Sequence, residues 1–170
     1  MRLLVAGIAG LVITTTAVAS TRYQVDLATG NLDGKRVLGT SLADVRTTLG
    51  RPDLIAGPRN RRLVAWGGGA GTFRLAVLFR PTGNRLLART LVFESGSIRD
   101  AKIGDLLGRA PRSLQVAVES NYRGVFELVR PYRCRTVGLC TGEFAARSGG
   151  LHLTFGRTST RGTFVTVWTS

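Results

Sequence analysis

The sequence predicts an α+β fold of two tandem units, each a helix followed by an antiparallel β-meander, which can join side by side into one concave sheet. Segment 37–52 carries the signals of a complete helix, and segment 103–111 repeats its Leu-Gly-Arg and the following Pro. Each segment precedes a run of strand-like stretches, and a helix beside a meander buries one sheet face. The predicted boundaries are 1–20 (signal peptide or anchor), 21–36 (lead-in segment), 37–95 (first unit) and 96–170 (second unit).

The first 20 residues have the layout of a secretory signal. Arg2 precedes an apolar run at 3–13, and Ala17-Val18-Ala19 forms an Ala-x-Ala cleavage motif. An uncleaved anchor helix is the alternative, although the run is shorter than the ~20 apolar residues of a comfortable membrane span. We therefore expect a secreted or extracytoplasmic protein of a bacterial cell envelope, with no stable transmembrane domain once the signal is removed.

The first helix is predicted to begin at Ser41, because Asp44 three residues later completes a capping-box pattern. Gly50 suits the left-handed conformation that closes a helix, and Pro52 prevents the helix from continuing. The apolar face of this helix comprises Leu42, Val45 and Leu49. The segment 41–49 should therefore pack against the sheet through these three side chains.

Three strands are predicted after the first helix, at 61–66, 72–80 and 85–94, with a turn at 53–60 before them. Apolar residues alternate with others along the middle strand, as expected when one sheet face is buried. A short strand is also possible in the lead-in segment. The three strands at 61–66, 72–80 and 85–94 form the meander of the first unit.

In the second unit a short helix is predicted at 103–107. Segment 113–122 fits either a helix or a strand, and we choose the helix because four of its apolar residues share a helical face. A strand follows at 124–129. The last two strands, 151–155 and 163–168, are rich in β-branched and aromatic residues, which favour strands.

The two cysteines, Cys134 and Cys140, are predicted to form a disulfide across a loop or hairpin, as fits an exported protein. A metal site or a redox pair is the competing interpretation. The spacing is not Cys-x-x-Cys, however, and no second Cys/His cluster completes a coordination sphere. A disulfide would hold Tyr132, Arg133 and Arg135 in a fixed loop, which lowers the entropy lost on binding a partner.

A resemblance to known families rests on segments 39–45 and 49–52, with Trp66 on the next strand. This pattern resembles the SmpA/OmlA envelope modules, and the tandem arrangement resembles the β-lactamase inhibitory protein fold. The resemblance covers 37–93 well and 103–168 loosely. In those families the sheet and neighbouring loops bind other proteins without catalysis. The resemblance therefore implies a non-enzymatic protein-binding module, inhibitor-like or assembly-factor-like.

The charge is strongly positive, with 24 Lys and Arg against 10 Asp and Glu and a formal net charge of +14. All of the basic residues except Lys35 and Lys102 are arginines. A surface with this charge attracts anionic partners at low salt. An Arg-rich binder of an anionic envelope polymer or of nucleic acid, acting through runs such as 59–62, is therefore the alternative function.

Candidate catalytic patterns are weak. Ser41 fits the outline of a nucleophile elbow, but a hydrolase would need His152, the only histidine, to reach it from the other unit. The glycine cluster at 67–71 lacks the Gly-Lys-Ser/Thr ending of a phosphate-binding loop. His152, with Glu143 or Arg147 nearby, would permit a small secreted ribonuclease, although a solvent-facing histidine is the more common case. We expect no enzymatic activity, no cofactor and no metal.

The expected contact surface is the exposed sheet face with the adjacent loops, including the disulfide loop. Tyr, Trp and Arg are favoured at binding hot spots, and alternation leaves several of them on the face opposite the core. The predicted binding residues are Trp66, Arg74, Arg80, Tyr132, Arg133, Arg135 and His152, with Thr154 and Trp168 as further candidates. The expected partner is another protein.

Overall fold

A computed structural model describes residues 22–68, 73–136, 138–159 and 162–170, so the predicted signal segment lies outside the described residues. The helices are α1 (Leu42–Leu49) and α2 (Pro111–Asn121). The strands are β1 (Arg22–Asp26), β2 (Asn31–Leu32), β3 (Leu54–Ala56), β4 (Arg62–Trp66), β5 (Leu75–Thr82), β6 (Arg85–Phe93), β7 (Ser97–Asp100), β8 (Gly104–Asp105), β9 (Phe126–Thr136), β10 (Leu139–Ala146), β11 (Leu151–Thr158) and β12 (Gly162–Thr169). Neither of these two helices is long and apolar enough to cross a bilayer.

The strands form two sheets. The small sheet has the order β2-β1-β7-β8, and the large sheet has the order β3-β4-β5-β6-β12-β11-β10-β9. Neighbouring strands of the large sheet are all antiparallel. The meanders β3–β6 and β9–β12 meet where β6 pairs with β12, from Phe93 opposite Val165 to Thr90 opposite Trp168; we call this junction the seam. The α+β class is thus confirmed.

The core lies on one face of the large sheet, where both helices and the small sheet cover it. Side chains from every layer belong to a single buried cluster, and α2 contacts β9, β10 and β11 while α1 contacts β6. Members of the cluster include Val25 of β1, Val45 of α1, Ile98 of β7, Leu114 of α2, Val77 of β5 and Phe155 of β11. Burial of this apolar surface is the main force that holds the layers together.

Both longer helices follow their predictions. Ser41 caps α1, because its Oγ accepts the Asp44 N–H at 3.3 Å and its own N–H donates to Asp44 Oδ2 at 3.1 Å. Gly50 ends α1 with a φ of +80°, and its N–H donates to the Arg46 carbonyl. The structure also confirms the helical choice for 113–122, which lies largely within α2.

The predicted short helix at 103–107 is wrong. Gly104 has a φ of +84°, outside the helical region, and the chain forms β8 instead. The cause is a local competitor: the Asp100 carboxylate accepts the N–H groups of both Lys102 and Ile103 at 2.9 Å. A side chain that satisfies these donors removes the advantage of a helical turn.

The predicted turn at 53–60 contains a strand that the sequence pattern did not reveal. Leu54 and Ile55 pair with Ala65 and Val64, which makes β3 the edge of the large sheet. Both residues are partly exposed, Leu54 by 37% and Ile55 by 45%. This strand depends on pairing with β4 and not on its own alternation, so a local pattern could not predict it.

Removing the cap of α1 should have a measurable cost. We expect Ser41→Ala to lower the free energy of unfolding by about 1 kcal/mol in a urea titration, because an N-terminal N–H loses its acceptor. Thr47→Ala, at an exposed position of the same helix, is the matched control and should change stability by less than about 0.5 kcal/mol. Equal effects of the two substitutions would contradict a capping role for Ser41.

The cap also gives a pH dependence. The pKa of Asp44 lies below its ordinary value, chiefly because the Ser41 hydroxyl donates a hydrogen bond to the carboxylate and also because the Ser41 N–H does. A lowered pKa in the folded state stabilises the protein above the ordinary pKa of about 4 and stops doing so as the pH falls through the folded value. The difference between Ser41→Ala and the natural protein should therefore shrink in acid.

Candidate functional site

Neither of the two described helices lies on the face of the large sheet opposite the core, and the side chains in the centre of that face are half-buried. We call it the open face. The side chains in the centre of the open face are partly exposed, whereas the residues that alternate with them along each strand are fully buried. Two cross-strand rows form its centre: Leu63, Leu78, Thr90, Trp168 and His152 in one, and Val92, Thr166, Thr154 and Glu143 in the other.

An aromatic pair occupies the middle of the open face. Trp168 and His152 lie directly opposite each other on β12 and β11, and their rings stack with centroids 3.9 Å apart and planes within 10°. The Trp168 Nε1–H donates to Thr154 Oγ1 at 3.1 Å. Because the indole is fixed by both a ring stack and a hydrogen bond, it offers a rigid surface that loses little entropy when a partner covers it.

Glu143 lies beside this pair and joins two basic groups. Its Oε2 is 3.4 Å from Arg130 Nη1, and its Oε1 is 3.4 Å from His152 Nδ1. The second contact has an ion-pair distance but lacks the alignment of a hydrogen bond, so the buried Nδ1 has no hydrogen-bond partner among the residues that the structure describes. The neighbour expected for His152 is therefore present as Glu143, with Arg130 completing the group.

A cavity of about 580 Å³ opens on the same face at the seam. Arg80 and Arg89 contribute its positive charge, and Trp168 and Pro81 contribute apolar walls; we call it the Arg80–Arg89 cavity. Its remaining lining residues are Thr90, Thr169 and Ser170. The residues of the cavity come from β5 and β6 of one meander and from the end of β12 in the other, so the cavity exists only where the two meanders are joined.

Trp66 is not on the open face, contrary to the expectation for this residue. Its side chain is 4% exposed and belongs to the core cluster, and its Nε1–H donates to the Gly50 carbonyl at 3.1 Å. Trp66 pairs with Leu75 and shares the face of Val64. Alternation identifies which residues share a face but does not identify the face that is covered, and here α1 lies on the tryptophan side.

The other predicted contact residues are divided between locations. Arg80 is exposed beside the open face, and Arg133 is exposed on the outer strand β9. Tyr132 is half-buried and stacks on the core residue Phe155 at 6.2 Å. The partly buried Arg74 is packed against Gly67, where a Cβ would lie 2.7 Å from Arg74 Cδ. The side chain of Arg135 lies outside the described residues.

The disulfide between Cys134 and Cys140 is confirmed, and it links the neighbouring strands β9 and β10. Within the described residues no group of three His, Cys, Asp or Glu side chains is arranged to hold a metal ion. The Ser41 hydroxyl, considered above as a nucleophile, donates to Asp44 at 2.7 Å in the helix cap. The cap therefore accounts for Ser41 without any catalytic role.

Arg89 is the site residue that the sequence pattern missed. The register of β5 and β6 shifts between Leu78 and Phe79, which leaves Arg89 as an extra residue between Ala88 and Thr90. Such a bulge redirects a side chain relative to strict alternation. No local pattern marks the position, because the shift depends on the partner strand.

Comparison with models of known protein families, with curated proteins and with solved structures finds no match.

Proposed function

We propose that this protein is an exported, non-enzymatic protein-binding module of the cell envelope or the secreted fraction, and that the open face contacts the partner. The observation that carries the proposal is the rigid Trp168–His152 stack in the centre of a sheet face that neither described helix covers. Trp and Arg dominate binding hot spots, and Arg80, Arg89 and Arg130 surround this stack. The net charge of +14 favours a partner with an acidic surface.

The tandem organisation is part of the proposal. α1 precedes the meander β3–β6, and α2 precedes the meander β9–β12. From the seam outward, the strands follow the order β6, β5, β4, β3 on one side and β12, β11, β10, β9 on the other. This order supports two equivalent units related by a pseudo-twofold axis at the seam. It is also the arrangement expected from the resemblance to the β-lactamase inhibitory protein fold and to the SmpA/OmlA modules. A broad sheet of this kind offers a large contact area to a protein.

Export is proposed from the signal-like segment 1–20, and the disulfide supports it. Disulfides persist in oxidising compartments and are rare in the cytosol. The Cys134–Cys140 bond closes the end of the β9–β10 hairpin, next to the exposed Arg133. The hairpin end is thus a second element of the proposed contact surface, as the sequence suggested.

Site-specific photocrosslinking tests the proposal. A benzoylphenylalanine at Thr166, in the centre of the open face, should capture a protein from an envelope extract. The same group at Val116, which is 63% exposed on α2 at the opposite side of the molecule, is the matched control. Capture at Val116 alone, or equal capture at both positions, would contradict the open face as the contact surface.

Trp168→Ala should weaken binding of the captured partner by about 2 kcal/mol, which is roughly a 30-fold increase in Kd. The reason is loss of the indole and of its support for the His152 ring. Trp168→Phe keeps an aromatic ring but removes the hydrogen bond to Thr154, so its effect should be smaller. Calorimetric titration measures both variants, and an unchanged Kd for Trp168→Ala would exclude the centre of the open face.

A second candidate function is binding of an anionic polymer or nucleic acid. A ribonuclease activity would add cleavage of the bound RNA to this binding. The grouping of Arg130, Glu143 and His152 is the observation that favours it, since a carboxylate and an imidazole can act as base and acid on a phosphodiester. Retention on heparin should then fall steeply as salt rises. Cleavage of RNA that His152→Ala abolishes, with retention intact, would overturn the non-enzymatic proposal.

A further inference from the structure

The Cys134–Cys140 disulfide lies at the edge of the large sheet, and its two sulfur atoms have different surroundings. Cys134 and Cys140 are directly opposite each other on β9 and β10. Cys134 is exposed, whereas Cys140 is half-buried. β9 is the last strand of the large sheet, and no described strand pairs with its outer side. One sulfur therefore belongs to an open sheet edge, and the other belongs to a strand with a neighbour on each side.

The direction of the disulfide decides which sulfur a thiol can attack. A thiolate approaches a disulfide in line with the bond that breaks, so access along that line controls the reaction. Because this disulfide crosses from β9 to β10, an attack on the Cys134 sulfur comes from beyond the sheet edge. An attack on the Cys140 sulfur must come from the side of β11, where Arg157 is directly opposite Cys140. Exposure and direction of approach thus favour Cys134 as the site of attack.

Arg157 suits the other half of such a reaction, the departure of Cys140. The two residues line one cavity of about 230 Å³, together with Gly138, Thr158 and Ser159. Residues directly opposite each other in an antiparallel pair have Cβ atoms about 5 Å apart on the same face. A cation beside a thiol favours its thiolate form, and a more stable thiolate leaves faster. The position of Arg157 therefore favours Cys140 as the leaving group.

We propose that the Cys134–Cys140 disulfide is a thiol–disulfide exchange site that accepts a low-molecular-weight thiol at Cys134. The thiolate of the small molecule forms a bond to Cys134 Sγ with its own electron pair. The electron pair of the broken bond goes to Cys140, which becomes a thiolate beside Arg157, so no external oxidant or reductant takes part. When the Cys140 thiolate attacks Cys134 Sγ in turn, the original bond returns and the small thiol is released.

This site goes beyond the proposed function, since exchange needs no protein partner. It gives the end of the β9–β10 hairpin a reversible covalent modification. The exposed Arg133 directly precedes Cys134, so the modification falls within the second element of the proposed contact surface. A chain that carries the small thiol has also lost the crosslink between the two strands.

The test uses the full, folded, disulfide-bonded protein and glutathione as the probe. Samples taken early in the reaction are treated with N-ethylmaleimide, which blocks free thiols, and mass spectrometry after trypsin digestion locates the two groups. Trypsin cleaves after Arg135 and Arg147, so Cys140 is the only cysteine of the peptide 136–147. We expect this peptide to carry N-ethylmaleimide and the fragment with Cys134 to carry glutathione. The natural protein gives this result without any substitution.

Two substitutions test the role of Arg157. Arg157→Gln should lower the initial rate of glutathione incorporation about threefold, because the leaving thiolate loses the neighbouring positive charge. Arg157 is exposed, so its replacement leaves the core intact. Arg80→Gln removes the same charge from an exposed position on β5 and is the matched control, which should keep the natural rate. Circular dichroism checks that both variants are folded, and all rates are measured at one ionic strength.

Several results would overturn the inference. Glutathione on the peptide 136–147 would place the attack at the wrong sulfur. No incorporation into the folded protein, under conditions in which the urea-unfolded protein reacts, would show that the fold shields the disulfide. Equal rates for Arg157→Gln and Arg80→Gln would remove the role of Arg157 in the departure of Cys140. The proposed function fails separately, because capture at Thr166 is measured without any thiol.

Discussion

Replacing Asp100 with alanine is expected to lower the free energy of unfolding by about 4 kcal/mol, a large part of the 5–15 kcal/mol typical of a domain. The Asp100 side chain is 2% exposed. Its carboxylate accepts the N–H groups of Lys102 and Ile103 at 2.9 Å, the Tyr122 hydroxyl at 2.5 Å and, more weakly, the Leu27 N–H at 3.4 Å. Alanine would leave these buried donors without an acceptor.

Two variants separate the contributions of this network. Asp100→Asn keeps one carbonyl acceptor and should cost less than alanine, whereas Tyr122→Phe removes only one hydrogen bond to a charged group and should cost about 2 kcal/mol. Guanidinium titrations followed by circular dichroism give all three values. A cost below about 1 kcal/mol for Asp100→Ala would show that the freed donors find water instead.

The same network predicts loss of stability in alkali. Burial, and then the hydrogen bond to Asp100, raise the pKa of Tyr122 above its ordinary value. A raised pKa in the folded state means that the neutral phenol stabilises the protein below about pH 10 and that this contribution is lost as the pH rises above the unfolded value. The natural protein should therefore destabilise above pH 10 by a component that Tyr122→Phe lacks.

Phe155→Ala is expected to destabilise the protein by about 3–5 kcal/mol. Phe155 is fully buried, and its ring stacks between Phe144, with centroids 5.7 Å apart, and Tyr132 at 6.2 Å. Removing the ring leaves a cavity that the flanking rings cannot fill without moving β9 and β10. Thermal and chemical denaturation measure the loss.

Phe164→Ala is the matched control for that experiment. Phe164 lies on the neighbouring strand β12 opposite Gly156, but it is on the open face and only half-buried. The same truncation there should cost only about 1 kcal/mol, in proportion to the apolar area it buries. Equal losses at Phe155 and Phe164 would contradict the assignment of the core to one face of the sheet.

The helices could be predicted because their signals are local. Ser41, Asp44 and Gly50 lie within one short segment, and the structure uses each as its residue type suggests. The strands β3 and β8 could not be predicted in this way. The first depends on pairing with β4, and the second arises because the Asp100 carboxylate accepts the backbone N–H groups of Lys102 and Ile103, so apolar periodicity marks neither strand.

The candidate site was predictable only in part, for a similar reason. Alternation correctly predicted that the side chain of His152 lies on the face opposite the core, and Glu143 was among its expected neighbours. The pattern could not say which of the two tryptophans lies under the helices, and Trp66 proved to be the covered one. Arg89 depends on a register shift that only the partner strand creates.

The seam has a consequence for how the molecule folds. Arg89 donates to Thr169 across a sequence separation of 80 residues, and Trp168 pairs with Thr90 over a similar distance. Contacts so remote require loop closure before they contribute any energy, which makes them late events compared with hairpins and helices. We expect the two meanders to form first and the seam to close afterwards. The proposed contact with a partner at the open face would then require the closed seam, so an incompletely folded chain would not present that surface.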